Sequence, residues 1–118
     1  MILTFSGVKE YCLWETFNAS CPEGHVIIMT SARYGRMKLG RCLSTDYYVG
    51  CEADVRDRVD ARCSGRQNCS IKIPDPDLFK VQTCRRDLNA YLEASYECMQ
   101  GRYQVVIFLH CSHLFSPL

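Results

Sequence analysis

The residues of this chain with the most evident chemistry are its cysteines. Nine occur among 118 residues, and a thiol can form a disulfide, bind a metal ion or act as a nucleophile. A structural zinc site usually has close pairs such as C-x2-C, whereas the closest spacing here is Cys63 to Cys69. Disulfides persist in oxidising compartments, so this count predicts a small domain of the secretory pathway that is cross-linked by disulfides.

The other candidates for catalysis or metal binding lack the spacing of known catalytic or metal-binding motifs. The His/Cys cluster near the C-terminus consists of His110, Cys111 and His113, and no acidic residue is placed to orient a nucleophile and base there. Serines occur without the G-x-S-x-G pattern of a hydrolase. Three aspartates lack the ligand order of a calcium loop: Asp75, Asp77 and Asp87. We therefore expect a binding domain that is not an enzyme and that holds no metal or cofactor.

Charge and hydropathy exclude several classes of partner. The net charge is +1, whereas nucleic-acid-binding proteins are usually strongly basic. Residues 1–8 lack the basic segment of a signal peptide, and the apolar run at 105–109 is far shorter than the roughly 20 residues that span a bilayer. We expect an extracellular module, or part of the ectodomain of a membrane protein, with no signal peptide in this chain and no direct membrane insertion.

The spacing of apolar residues predicts the elements that position these groups. An apolar run at 26–29 leads to a glycine turn and predicts a buried strand, and alternation predicts strands at 69–73 and 91–98. Residues 52–63 begin with acidic residues, repeat an apolar residue every four positions and precede a glycine, which predicts a helix. Residues 74–90 have little periodicity and predict a long loop. The fold predicted is β-rich α+β, a small antiparallel β-sandwich with one helix.

The predicted helix has a defined apolar face. Val55, Val59 and Cys63 recur every four residues, while Glu52 and Asp54 stand at the expected helix start. Residues four apart lie on one side of a helix, so this stripe is expected to pack against the sheet.

Two segments resemble the galactose- or rhamnose-binding lectin domain of the sea-urchin-egg-lectin type. SARYGR at 31–36 is similar to the family's Ala-Asn-Tyr-Gly-Arg signature, and YLEASYEC at 91–98 is similar to its closing strand. The order and spacing of eight cysteines agree as well. The resemblance covers residues 12–98, with 1–11 as a lead-in and 99–118 as a tail. It implies a module of a larger cell-surface protein, because such domains occur in adhesion-type receptors, polycystin-like membrane proteins and axon-guidance receptors.

The resemblance also implies a disulfide connectivity that spacing alone leaves open, since eight cysteines allow 105 pairings. The implied bridges are Cys12–Cys42, Cys21–Cys98, Cys51–Cys84 and Cys63–Cys69, which completes the predicted fold with four disulfides. Cys111 is left over. It is either a free thiol in the tail or a cysteine that pairs with another molecule.

The sugar site implied by the resemblance has lost its charged partners. Sugar-binding members have a glutamate after the first cysteine and a lysine before the closing Tyr-Leu, where this chain has Leu13 and Ala90. The family's Asp-Pro-Cys has become Gln-Thr-Cys at 82–84. Hydrogen bonds to charged groups are the stronger ones, so we expect a degenerate monosaccharide site. Two functions follow: a carbohydrate-binding module with altered specificity, or a protein–protein adhesion module that no longer binds sugar.

The candidate ligand-binding residues are Tyr34, Arg36, Glu15 and Arg86. Tyr34 survives from the family's signature and is either a ligand contact or a packing residue. Glu15 would replace the lost glutamate if the chain were shifted slightly. The two arginines belong to two basic loops. These loops either converge to bind a sulfated glycan or an acidic protein, or they form an ordinary solvated surface. Their basic residues are Arg33, Arg36, Lys38 and Arg41 in one loop, and Arg85 and Arg86 in the other.

Two N-glycosylation sequons fit an exported protein. They are Asn18-Ala19-Ser20 and Asn68-Cys69-Ser70. Because Cys69 belongs to an implied bridge, we expect Asn18 to be used more readily.

Overall fold

The computed structural model describes residues 2–5, 7–45 and 47–100. Its elements, in chain order, are β1 (Ile2–Phe5), β2 (Lys9–Tyr11), β3 (Thr16–Ser20), β4 (His25–Gly35), β5 (Glu52–Asp54), α1 (Arg56–Cys63), β6 (Asn68–Lys72), α2 (Pro76–Val81) and β7 (Tyr91–Gln100). The apolar run at 105–109 and the cluster of His110, Cys111 and His113 lie outside the described residues.

The strands form two antiparallel sheets. The larger sheet has the order β1-β7-β4-β5, and β2 also pairs with β7; β3 and β6 form the smaller sheet. The segment expected as a lead-in therefore contributes two strands, since Ile2 lies opposite Met99 and Glu10 opposite Glu93. The predicted antiparallel sandwich is confirmed, and β4 and β7 form its longest ladder.

The core lies between the two sheets and is closed by α1. Phe17 and Ile71 of the smaller sheet are 0 % and 1 % exposed, and Leu92 of β7 is 0 % exposed. The Phe17 ring meets Tyr11 and Tyr96 edge-to-face, with centroids 5.0 and 6.2 Å apart, a favourable geometry for aromatic pairs. The strand alternation thus places one apolar face of each sheet against the other.

The apolar stripe of the helix is buried as predicted, but the helix begins later than expected. Val55, Val59 and Cys63 are at most 1 % exposed. The predicted start at residue 52 was wrong, because Glu52–Asp54 pair with the end of β4 as strand β5. In such a short segment, pairing with a neighbouring strand outweighs the local preference for a helix.

The predicted loop at 74–90 contains a second short helix, α2. Asp75 is its N-cap, and its carboxylate accepts hydrogen bonds from the backbone N–H groups of Asp77 and Leu78. Pro76 occupies the first helical position, where proline is favoured. Leu78 is 0 % exposed and anchors the helix to the core.

Four disulfides cross-link these elements, in the same pairings that the resemblance implies. Cα–Cα distances are 5.0 Å for Cys12–Cys42, 5.6 Å for Cys21–Cys98, 5.2 Å for Cys51–Cys84 and 5.2 Å for Cys63–Cys69. These values lie in the usual range for disulfides. One bridge joins the end of the smaller sheet's β3 to β7, and two others hold the middle and the end of the loop that connects β4 to β5.

Within the described residues, no helix combines the length and apolar character that crossing a membrane requires.

Candidate functional site

A tight turn after β2 presents an exposed tryptophan. Trp14 is 70 % exposed and has φ +74°, a left-handed conformation that costs a non-glycine residue roughly 1–2 kcal/mol. The Glu15 N–H donates to the Cys12 carbonyl at 2.9 Å, and the Trp14 N–H donates to the Ile73 carbonyl at 2.8 Å. The Cys12–Cys42 bridge holds the start of this turn. The indole is therefore presented to solvent on a rigid backbone.

Glu15 and Arg41 link this turn to the neighbouring loop. One Glu15 carboxylate oxygen accepts from the Cys12 N–H at 2.8 Å, and the other pairs with the Arg41 guanidinium at 2.6 Å. The hydrogen bond from Arg41, followed by that from Cys12, lowers the pKa of Glu15, so this carboxylate stays ionised in mild acid. Arg41 also donates to the Glu10 carbonyl at 2.6 Å. Arg41 thus connects the turn to β2.

An open cleft of about 570 Å³ lies beside β2 and β7. We name it the β2–β7 cleft; its lining residues are Val8, Lys9, Glu10, Lys38, Arg41 and Glu93. Glu10 and Glu93 lie directly opposite each other in the ladder. Like charges in that position are destabilising. The cleft therefore combines a pair of carboxylates with three cationic side chains, a mixture of acceptors and donors.

The sequence did not single out the tryptophan or the two carboxylates of this surface. The alternation in β7 places Glu93 on the face opposite Leu92, so this position of Glu93 could have been predicted from the sequence. No comparable pattern predicts the positions of Glu10 and Trp14. Glu15 is the one predicted ligand residue that the structure brings to this surface.

Tyr34 is a core residue in the structure. Its side chain is 1 % exposed, and burial, followed by the nearby Asp75, raises the pKa of its phenol. Of the two expectations for Tyr34, ligand contact and packing, its buried position fits the packing role.

Arg36 is buried as well, at 4 % exposure. Its guanidinium donates through Nε and Nη2 to the Tyr47 carbonyl, at 3.2 and 2.7 Å, and through Nη1 to the Asn89 carbonyl at 2.6 Å. These acceptors belong to two separate loops. Arg36 therefore ties the loops together, and its donors are used within the chain.

The remaining arginines of the two basic loops have intramolecular partners. Arg86 donates to the carbonyls of Phe79 and Lys80, at 3.1 and 3.2 Å, and its guanidinium lies 5.2 Å from the Phe79 ring centroid. It thereby covers the C-terminal end of α2. Other pairs are Arg33 with Glu52, Arg41 with Glu15, and Arg85 with Asp87. Of the two alternatives for the basic loops, these pairings fit an ordinary solvated surface better than a shared open basic face.

The three aspartates considered for calcium are also engaged by arginines. Asp75 pairs with Arg62 at 2.8 Å, Asp77 with Arg58 at 2.7 Å, and Asp87 with Arg85 at 2.7 Å. The carboxylates lie in three separate ion pairs, and Asp75 also caps α2. Their positions stabilise local structure.

The positions at which the resemblance implies the family's polar site residues are largely enclosed. Ala90 is 4 % exposed and belongs to the core cluster, while Leu13 is half-buried. Gln82 is 6 % exposed, and its side-chain amide has no hydrogen-bond partner among the described residues. Apolar packing thus occupies the place where the resemblance implies a polar contact.

Comparison with protein families identifies one domain. The profile described as D-galactoside/L-rhamnose binding SUEL lectin domain matches residues 19–98. A comparison with curated protein sequences returned no match. The matched range contains β4, β5, β6, both helices, most of β7 and three of the disulfides. This family is one of carbohydrate-binding domains rather than enzymes. The chain therefore belongs to the family of SUEL-type lectin domains that bind D-galactosides and L-rhamnose.

Proposed function

We propose that this chain is the extracellular carbohydrate-binding module of a larger cell-surface protein, with a degenerate monosaccharide site. The family match carries the carbohydrate assignment. Four disulfides favour an oxidising, extracellular setting. The degenerate site is inferred from Leu13 and Ala90, which stand where the resemblance implies a glutamate and a lysine.

The register of β2 and β7 supports this placement of the lost pair. Tyr11 lies opposite Leu92. In an antiparallel ladder, the next two steps bring Leu13 toward Ala90. Two apolar side chains at this point leave a sugar hydroxyl without the charged partners that provide strong hydrogen bonds.

The surface next to the lost pair retains groups that suit a carbohydrate. Sugar hydroxyls both donate and accept hydrogen bonds, and the β2–β7 cleft offers carboxylates as well as ammonium and guanidinium groups. Trp14 adds a rigid, exposed aromatic face, and Glu15 is joined to the cleft through Arg41. We assign ligand contact to this surface, in place of Tyr34 and Arg36.

Titration calorimetry with free rhamnose and galactose tests the degenerate site. We expect dissociation constants no better than millimolar, which corresponds to roughly 4 kcal/mol of binding free energy. Micromolar binding of either free sugar by the wild-type domain would contradict the degenerate-site assignment.

A glycan array of the oxidised domain tests the ligand surface. Trp14→Ala should weaken the signal for every glycan that the wild type retains, whereas Asp57→Asn should leave it unchanged. Asp57 is a suitable control because its side chain is 97 % exposed on α1, on a different element from the cleft. Equal signals from both variants would place the ligand elsewhere.

A second function, recognition of a cell-surface protein, is favoured by the exposed aromatic side chains. Tyr47 and Tyr48 are 55 % and 51 % exposed, and their ring centroids lie 4.4 Å apart. The Arg85 guanidinium lies 5.1 Å from the Tyr48 centroid. Tyrosine, tryptophan and arginine are enriched at the energetic centres of protein interfaces. A blank glycan array, together with binding to a cell surface from which glycans have been removed, would favour this function.

A further inference from the structure

The two sequons lie side by side in the smaller sheet. The β3–β6 ladder places Asn18 opposite Ser70 and Ser20 opposite Asn68. The asparagine of each sequon therefore faces the serine of the other sequon. Sequence order alone does not indicate this, because 50 residues separate the two asparagines.

The four polar side chains form one exposed, hydrogen-bonded surface. Asn18, Ser20, Asn68 and Ser70 are all exposed. The Ser20 hydroxyl donates to Asn68 Oδ1 at 2.9 Å, and the Ser70 hydroxyl donates to Asn18 Oδ1. The middle residue of the first sequon, Ala19, is 2 % exposed and faces the core. The alternation of the strands thus presents both asparagines on the same outer face.

We propose that the two sequons form a single modification site, at which one N-linked oligosaccharide excludes a second. The acceptor is the side-chain Nδ2 of Asn18 or Asn68, and the donor is an oligosaccharide joined through its anomeric carbon to a lipid pyrophosphate. The nitrogen forms a bond to that carbon and loses one proton. The bond from the carbon to the pyrophosphate oxygen breaks, and its electron pair leaves with the lipid pyrophosphate.

One glycan is compatible with the folded sheet. The two cross-strand hydrogen bonds use Oδ1 of each asparagine, whereas the glycan is attached to Nδ2. A single modification therefore leaves both bonds in place. An open polar cleft of about 460 Å³ adjoins the site, lined in part by Arg62, Arg66, Asn68 and Ser70. This cleft provides donors for the hydroxyls of the first sugar residue.

Two glycans are not compatible with it. Asn18 and Asn68 are diagonal neighbours, and such positions lie roughly 7–8 Å apart in an antiparallel pair. Both carboxamides are held on the same face by the cross-strand hydrogen bonds, so two bulky chains attached there would compete for the same space. Asn18 is translated first, and Cys69 is joined to Cys63 across only six residues. We therefore expect the single glycan mainly on Asn18.

The test is the mass of the full chain secreted from mammalian cells behind a cleavable secretion signal. Wild type should carry one N-glycan per secreted molecule. Asn18→Gln should move the glycan to Asn68, Asn68→Gln should retain it on Asn18, and the double variant should carry none. Asn89→Gln is the matched control, since Asn89 lies outside both sequons and is exposed.

Each result decides the proposal. Secreted molecules with two glycans would overturn exclusion, and secreted wild type with none would overturn the site itself. An Asn18→Gln chain that is secreted without a glycan would also overturn exclusion, because Asn68 would then be unusable for a separate reason. If the Asn18→Gln chain is not secreted, the same mass measurement on the intracellular glycoprotein decides between these outcomes.

Discussion

Replacing Arg36 with lysine tests its assignment as a structural residue. The arginine side chain makes three hydrogen bonds to backbone carbonyls, two to Tyr47 and one to Asn89. Lysine retains the positive charge, but a single ammonium cannot reproduce the planar fork of the guanidinium. The substitution therefore separates the geometry of these contacts from the charge.

The expected loss follows from the number of contacts. Hydrogen bonds to charged groups contribute about 1.5–3 kcal/mol each, so the loss of two destabilises the fold by about 3–6 kcal/mol. At roughly 4 °C per kcal/mol for a domain of this size, the melting temperature should fall by about 12–24 °C. Arg36 is 4 % exposed, so water cannot readily replace the missing donors.

Calorimetric melting of the oxidised domain measures this change. Arg66→Lys is the control, because Arg66 is an exposed arginine and such substitutions usually change stability by less than about 0.5 kcal/mol. Hydrogen exchange at the amides of Tyr48 and Ala90, next to the two acceptor carbonyls, should increase only in the Arg36 variant. Equal melting temperatures for the two variants would refute the structural role of Arg36.

Three further outcomes are expected. Val59→Asp should lower the free energy of unfolding in urea by about 3–5 kcal/mol, since it buries an unpaired charge at a position that is 0 % exposed; an unchanged midpoint would contradict the packing of α1. Gly35→Ala should lower the melting temperature, because an added Cβ would lie 2.3 Å from the carbonyl oxygen of Cys51 and φ is +154°; Gly7→Ala, which meets open space, should not. Burial raises the pKa of the Tyr34 and Tyr91 phenols, so the folded state retains their protons longer, and the melting temperature should fall as pH rises above 10.0; a melting temperature independent of pH in that range would contradict this.

The buried face of α1 could be predicted from the sequence, but the residue at which the helix begins could not. Val55, Val59 and Cys63 identify the buried side by spacing alone. The acidic residues Glu52 and Asp54 fit a helix start equally well, but the end of β4 was available to pair with them. In contrast, α2 had a readable signal, since Asp75 followed by Pro76 is a favoured helix start.

The candidate site was less predictable, because burial depends on the whole fold. Tyr34 and Arg36 are side chains that bind ligands at many protein surfaces, yet here they face the interior and two loop carbonyls. Their burial results from β7 and from loops distant in sequence. The exposure of Trp14 is equally non-local, since it depends on the contact with Ile73.

The pairing of β1 with β7 has a consequence for how the module responds to tension. Ile2 and Met99 lie opposite each other, so a pulling force applied at these ends would peel the strands apart one pair at a time. The shortest covalent path then passes from Cys21 directly to Cys98. Only about 20 residues can straighten, which limits the extension to roughly 70 Å. The segment between the two cysteines carries no load, because the force passes through the bridge. Full extension nevertheless removes β3, the partner of β6, so the smaller sheet is lost while the β4–β5 pairing bears no tension.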